Sequence, residues 1–103
     1  MSKQKSARSP SHLGSAGRRL WQTIVSDFEI DRAGQEILMR ACEAADRAES
    51  AREAIEREGM TAPDRFGQVK PHPLLAIERD SRAAVLAGLK ALNLDLSDAG
   101  GAP

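Results

Sequence analysis

Residues 36–58, EILMRACEAADRAESAREAIERE, contain the pattern that decides the fold. Small or apolar residues recur there at alternating spacings of four and three, as in the seam of a coiled coil. The seam consists of Ile37, Ala41, Ala44, Ala48, Ala51 and Ile55. Alanine lets a second helix approach closely, but each alanine buries little area, so the seam stabilises weakly by itself. The stretch predicts a long helix packed against another helix.

The charged residues of the same stretch are predicted to face outward. They form acid-first pairs at a spacing of four: Glu36 with Arg40, Glu43 with Arg47, and Glu53 with Arg57. Each pair of this kind stabilises an isolated helix by about 0.2–0.5 kcal/mol. The acids lie at solvent-facing spacings, so we expect a solvated helix face and no catalytic pair of carboxylates.

The long helix is predicted over 32–58, with Asp31 as its N-cap and Gly59 as its C-terminal stop. A first helix is predicted over 16–28, where large apolar residues recur at helical spacing. Ser15 is its expected cap. Trp21 lies on that apolar face, which favours a core position over the alternative, a platform on which bases stack.

The third helix is predicted over 73–92, with Asn93 closing it in the left-handed conformation. Its inner side is predicted to consist of Leu74, Ile77, Ser81, Ala84, Val85, Gly88, Leu89 and Leu92. The small members of this set match the alanine seam. The connector is rich in Gly and Pro, with a short extended pairing expected between 60–61 and 68–69. The predicted fold is all-α: a short N-terminal helix plus a long antiparallel helical hairpin.

The chain of 103 residues has room for one small domain and carries no net charge. Five of its fifteen basic residues lie within 1–19, where there is no acid. The rest of the chain therefore carries ten basic and fifteen acidic residues. We expect a flexible basic arm over 1–14, a helical domain over 15–94 and a flexible tail over 95–103. The single cysteine, Cys42, excludes a disulfide framework within the chain, and no run of 18 apolar residues predicts a membrane span.

His72 stands between two prolines directly before the third helix. Pro73 suits the first position of a helix, so His72 is predicted at the N-cap, where its ring can bond the first turn. The alternatives are contact with an anionic partner, together with Lys70, or a metal ligand or acid-base role. His12 is the other histidine, and it falls in the predicted arm, which argues against a metal site. No phosphate loop or nucleophile motif is present, so we predict neither catalytic residues nor a cofactor.

The basic N-terminal residues have the charge distribution of a site for the DNA backbone. They are Lys3, Lys5, Arg8, Arg18 and Arg19. The alternative is a basic tail that only aids solubility.

The ordered segments of the chain resemble the phage terminase small subunits. The resemblance rests on AGRRLWQTIVSDFEI (16–30), EILMRACEAADRAESAREAIEREGMT (36–61) and DRFGQVKPHPLLAIERDSRAAVLAGLKALNL (64–94). These segments correspond to a Gly-Arg…Trp…Ile start, a long helix of mixed charge and a last helix led by His-Pro. They cover about four-fifths of the chain, in order.

The resemblance implies a non-enzymatic packaging factor that acts in the cytoplasm of the bacterial host, away from membranes. Such a protein assembles as a ring-like homo-oligomer, recognises viral double-stranded DNA and delivers it to the large terminase subunit, which holds the ATPase and nuclease. The alternative is a helical-hairpin adaptor for protein interactions that does not bind nucleic acid.

Overall fold

The computed structural model describes residues 7–94 and consists of three helices and one small hairpin. Helix α1 spans Ser15–Asp27 and helix α2 spans Arg32–Glu58. Strands β1 (Thr61–Pro63) and β2 (Val69–Pro71) follow, and helix α3 spans Leu74–Leu92. The expected helical architecture is confirmed. The short extended pairing expected between 60–61 and 68–69 is present but shifted along the chain, with Thr61 opposite Pro71 and Pro63 opposite Val69.

Helix α2 begins and ends where its capping residues predict. The Asp31 carboxylate accepts a hydrogen bond from the backbone N–H of Gly34 at 2.8 Å. At the other end Gly59 has a φ of 90°, a value that suits glycine, and its N–H donates to the Ile55 carbonyl. Asn93 ends α3 in the left-handed conformation, as predicted, with φ 56° and ψ 47°.

Helices α2 and α3 are antiparallel, because late residues of α3 meet early residues of α2. A Cβ placed on Gly88 would lie 2.9 Å from the Ala41 Cβ, and one on Gly34 would lie 3.4 Å from Leu92. At the other end of the hairpin, Leu74 lines the same groove as Ala51. The close helix approach expected from small residues is therefore present.

The predicted seam holds only in part. Ala41, Ala44 and Ala51 are buried, and Ala54, which the prediction left out, is buried as well. Ile37 is 37% exposed. The buried positions of α2 therefore do not follow the predicted seam throughout, because α2 packs against α1 with one face and against α3 with another.

The inner side predicted for α3 is also only partly correct. Ser81 is buried, but Ile77 is 46% exposed and Ala84 is exposed. The reason is that α3 packs mainly against α2, so much of its circumference has no neighbour within the described chain.

The ion pairs on α2 differ from the predicted pairs. Arg40 bonds Glu43 at a spacing of three, and Arg52 bridges Glu49 and Glu56. Side-chain rotamers allow several partners on a helix surface, so spacing alone did not select the right one.

The main core lies between α1 and α2 and is built from large side chains. Its buried members are Leu13, Trp21, Ile24, Leu38 and Cys42. Burial, helped by the negative charges of Asp46 and Glu43, raises the pKa of the Cys42 thiol to about 11. Cys42 therefore stays protonated at neutral pH and acts as a small core residue.

The start of α1 is capped from another helix. The predicted cap, Ser15, is wrong: the N-cap is Gly14, which has no side chain to offer. Instead the Asp46 carboxylate of α2 accepts from the N–H groups of Gly14 and Gly17, at 2.7 and 2.8 Å. These N–H groups have no partner within their own helix, so a carboxylate is well suited to them.

Candidate nucleic-acid interface

The segment before α1 packs against the helical domain. Leu13 is 2% exposed, and the Ala7 carbonyl accepts a hydrogen bond from the Trp21 indole at 3.0 Å. His12 bonds Glu43 of α2 at 2.7 Å. Residues 7–14 of the arm predicted over 1–14 thus contact the helical domain through one apolar side chain and a bond to a buried indole N–H, and the flexibility of the arm stays a prediction.

Three of the five predicted DNA-binding residues can be located. Arg8, Arg18 and Arg19 are all exposed, whereas Lys3 and Lys5 lie outside the described residues. Arg8 directly follows Ala7, whose carbonyl is fixed to Trp21 in the middle of α1. The structure thus brings Arg8 to the helix that carries the other two arginines.

Arg18 has a structural contact of its own. Its guanidinium donates to the Leu13 carbonyl at 2.7 Å, which closes the turn leading into α1. Only part of its hydrogen-bonding capacity therefore remains for a ligand. Arg8 and Arg19 lack this constraint and are the better candidates for phosphate contacts.

Acids of α2 border this group of arginines. A hydrogen bond from Arg52 holds the pKa of Glu49 below its usual value, and the nearby charge of Arg19 contributes in the same direction. A hydrogen bond with His12 has the same effect on the pKa of Glu43. Acidic side chains of α2 therefore lie close to Arg19 and to His12.

Trp21 belongs to the core and presents no stacking surface. It is 3% exposed and packs with Ile24 and Leu38, so the core interpretation of this residue is confirmed. Phe66 is the aromatic residue that faces solvent, at 76% exposure, and no pattern in the sequence marked it as a functional residue.

His72 is buried, and both of its ring nitrogens have partners. Its Nδ1 accepts from the Leu74 N–H at 3.0 Å, so the expected bond to the first turn of α3 is present. Its Nε2 contacts the Glu58 carboxylate at 2.7 Å. Since Nδ1 accepts, the proton of a neutral ring lies on Nε2, which donates to Glu58.

The helix start differs by one residue from the prediction. Helix α3 begins at Leu74, with Pro73 as its N-cap rather than His72. With 5% exposure, His72 offers little surface to a partner, whereas Lys70 in β2 is exposed. Of the two predicted partner contacts, Lys70 is therefore the accessible one.

The described residues hold no cluster of three or more His, Cys, Asp or Glu side chains that could bind a metal ion. Among the helices of residues 7–94, none is long and apolar enough to cross a membrane.

Comparison with known proteins identifies one family. The family model described as "Phage terminase, small subunit" matches residues 17–101, which is most of the chain. Comparisons with curated proteins and with solved structures give no match. The matched range contains nearly all of the three helices, so the chain belongs to the phage terminase small subunit family.

Proposed function

We propose that this protein is a DNA-binding packaging factor that recognises viral double-stranded DNA and delivers it to the large terminase subunit. Family membership supports the role, and one structural observation supports the DNA contact. Arg8, Arg18 and Arg19 are exposed beside α1, in a part of the chain that contains no acid before Asp27. Catalysis belongs to the large subunit in this proposal, and the cytoplasm of the bacterial host is the place of action.

The proposed contact is electrostatic. Arginine guanidinium groups bind phosphate oxygens and release the counterions condensed on duplex DNA, so affinity falls steeply with salt. Lys3 and Lys5 precede Arg8 in the chain and extend the same charge. Such contacts hold the duplex without reading its bases, and any sequence selectivity arises from how several copies present them.

Self-assembly into a ring-like homo-oligomer is part of the proposal. Ile77 of α3 is 46% exposed, and small residues, Ala41 and Gly88, meet where α2 and α3 approach each other. Among the described residues the largest fully buried side chains are Leu38 and Cys42, so contacts between copies would add stability. Several copies around one DNA would also multiply weak phosphate contacts.

The test removes the positive charges by substitution rather than by deleting the N-terminal segment, because residues 7–14 pack on the helical domain. A variant with Lys3, Lys5, Arg8 and Arg19 changed to Gln should bind a labelled duplex more weakly, as measured by fluorescence anisotropy. The slope of log affinity against log salt should fall by about 0.9 for each phosphate that the variant can no longer neutralise.

A matched control changes four other exposed basic residues to Gln: Arg32, Arg57, Arg79 and Lys90. Both variants lose four positive charges. A loss of duplex affinity confined to the first variant would therefore assign the DNA contact to the N-terminal basic residues. Equal weakening would mean that only net charge matters. Unchanged binding by both variants, or no salt-dependent binding by the parent, would contradict the proposed DNA contact and favour the adaptor function.

A further inference from the structure

The tip of the β1–β2 hairpin is an exposed apolar projection. Phe66 is 76% exposed, and the Arg65 guanidinium lies 5.1 Å from its ring centroid. The tip is nevertheless well formed, because the Asp64 carboxylate accepts from the N–H groups of Phe66 and Gln68 at 2.8 and 2.9 Å. Gly67 adopts a φ of 82°, which closes the turn. A large apolar side chain on an ordered turn is suited to insertion into a partner.

A groove between α2 and α3 offers a site of matching character. Its volume is about 330 Å³. Its apolar lining comes from Ala51, Leu74 and Ile77, and its polar lining from Asp46, Arg47 and Ser50. Ile77 is 46% exposed, and the chain's own Phe66 does not fill the groove, because that ring faces solvent.

The charges of the tip and of the groove can pair with each other. The tip carries Asp64 and Arg65, and the groove carries Asp46 and Arg47. Each Asp46 oxygen accepts one backbone N–H and keeps a further lone pair, so its charge remains available to a cation. Arg47 has no ion-pair partner within residues 7–94, since Glu43 bonds Arg40 instead.

A protein partner fits the tip better than DNA does. Arg65 and Lys70 are basic, but the hairpin follows directly after the end of α2, where residues 52–58 carry three glutamates against two arginines. These carboxylates would repel phosphates that approach the base of the hairpin. Opposite charges around an apolar contact are, in contrast, typical of protein interfaces.

We propose that the hairpin tip of one copy docks into the α2–α3 groove of a second copy. Phe66 contacts Leu74 and Ile77 of that copy, Arg65 faces its Asp46, and Asp64 faces its Arg47. The two surfaces differ, so the contact is heterologous and repeats from copy to copy until a ring closes or a filament grows. The inference rests on the self-assembly part of the proposed function and assigns its interface.

Two variants with complementary defects test the docking. Phe66→Asp removes the apolar tip and keeps the groove, and Ser50→Trp fills the groove and keeps the tip. Each variant alone should self-associate about 30-fold more weakly than the parent, as for the loss of an interface hot spot. An equimolar mixture should form heterodimers and nothing larger, because one intact tip meets one intact groove. Native mass spectrometry and sedimentation velocity measure both outcomes.

The control is Leu86→Asp, which places the same charge at another exposed apolar position, 65% exposed on α3. It should assemble as the parent does, and circular dichroism should show that all three variants keep their helices. Assembly of either complementary variant at the parent's strength would overturn the docking, as would a mixture without heterodimers.

The outcomes separate this inference from the proposed function. A parent that stays monomeric would overturn both the self-assembly and its interface. A parent that assembles but binds no duplex DNA would contradict the DNA contact and leave the docking result standing. If Phe66→Asp keeps the parent's assembly and loses duplex affinity at constant salt, the tip contacts DNA and the docking is wrong.

Discussion

Helix α2 has two neighbours, and it packs against them in opposite ways. Toward α1 it presents Leu38 and Cys42, which are both 0% exposed and lie among large apolar side chains. Toward α3 it presents alanines, and Gly88 comes so close that an added Cβ would lie 2.9 Å from the Ala41 Cβ. One interface is stabilised by the area it buries, and the other permits a close approach of two backbones.

Because one interface depends on buried area and the other on close approach, we expect the two interfaces to be destabilised by opposite substitutions. Loss of volume leaves a cavity in the α1–α2 core, whereas added volume separates the helices at the α2–α3 seam. The following predictions test this contrast, and unfolding should be followed at one fixed protein concentration, since association would otherwise change the apparent stability.

The largest effect is expected from Leu38→Ala. Leu38 is fully buried between α1 and α2, and such truncations cost about 2–5 kcal/mol because the cavity collapses only partly. Urea unfolding monitored by circular dichroism gives the free energy of unfolding. Ile37→Ala is the neighbouring control, and because Ile37 is 37% exposed its loss should be clearly smaller. Equal losses would mean that the core does not lie on the Leu38 side.

The next largest effect is expected from Ala44→Leu at the seam. Ala44 is 1% exposed, and extra methylene groups in a packed site cost about 1–3 kcal/mol. Ala83→Leu on the exposed side of α3 is the matched control and should be close to neutral. If Ala44→Leu increases the free energy of unfolding in the same urea experiment, the seam contains unfilled space. The proposed contrast between a tightly approached seam and a core of large side chains would then be wrong.

Gly17→Ala asks whether the α1–α2 side also contains a close approach. The new Cβ would lie 2.6 Å from an Asp46 carboxylate oxygen and 2.8 Å from the Cys42 carbonyl oxygen. Backbone of α2 cannot move aside easily, so we expect a net loss of about 1–2 kcal/mol after the gain in helix propensity.

Gly88→Ala is the companion change at the seam. Its Cβ would meet one methyl group rather than a carboxylate and a backbone carbonyl, so a smaller loss in thermal stability is expected. A larger loss at Gly88 than at Gly17 would reverse this order and place the tighter approach at the seam.

The smallest effect concerns Glu58 and pH. A hydrogen bond with His72 lowers the pKa of Glu58 below its ordinary value of 4.5. A depressed folded-state pKa gives stability that is present above the unfolded-state value and is lost as the pH falls through the folded-state value.

Glu58→Gln should therefore reduce the decline in the urea midpoint below pH 4.5. Glu56→Gln is the control, since Glu56 bonds Arg52 and does not contact His72. If Glu58→Gln and the parent show the same pH profile, the contact between Glu58 and His72 contributes nothing to stability.

Local signals in the sequence predicted the helices well. The cap at Asp31, the stop at Gly59 and the left-handed Asn93 each act through bonds to residues within four positions, so the chain itself encodes them. Of the candidate site, the exposure of Arg8, Arg18 and Arg19 follows from their charge, because unpaired arginines are rarely buried. Lys3 and Lys5 stay predictions, since they lie outside the described residues.

Contacts between distant residues escaped prediction for a common reason. The Asp46 carboxylate caps α1 across 29 and 32 positions of the chain, and the Trp21 indole fixes the Ala7 carbonyl. Periodicity places a residue on a face but does not say which backbone group will stand opposite that face. The contacts of residues 7–14, within the arm predicted over 1–14, were missed for this reason, because the polar composition of the arm gave no sign of a partner.

Three helices and their approximate ends could be predicted from the amino-acid sequence, because helical periodicity and capping are local, and the order of the motifs was enough to indicate the family. Packing in the folded chain was needed to establish which side of α2 receives large side chains and that both nitrogens of His72 are occupied. It also decided that Phe66 stands in solvent at the tip of an ordered turn. These outcomes depend on how three helices share one small core, and burial is a property of the packed chain rather than of any single segment.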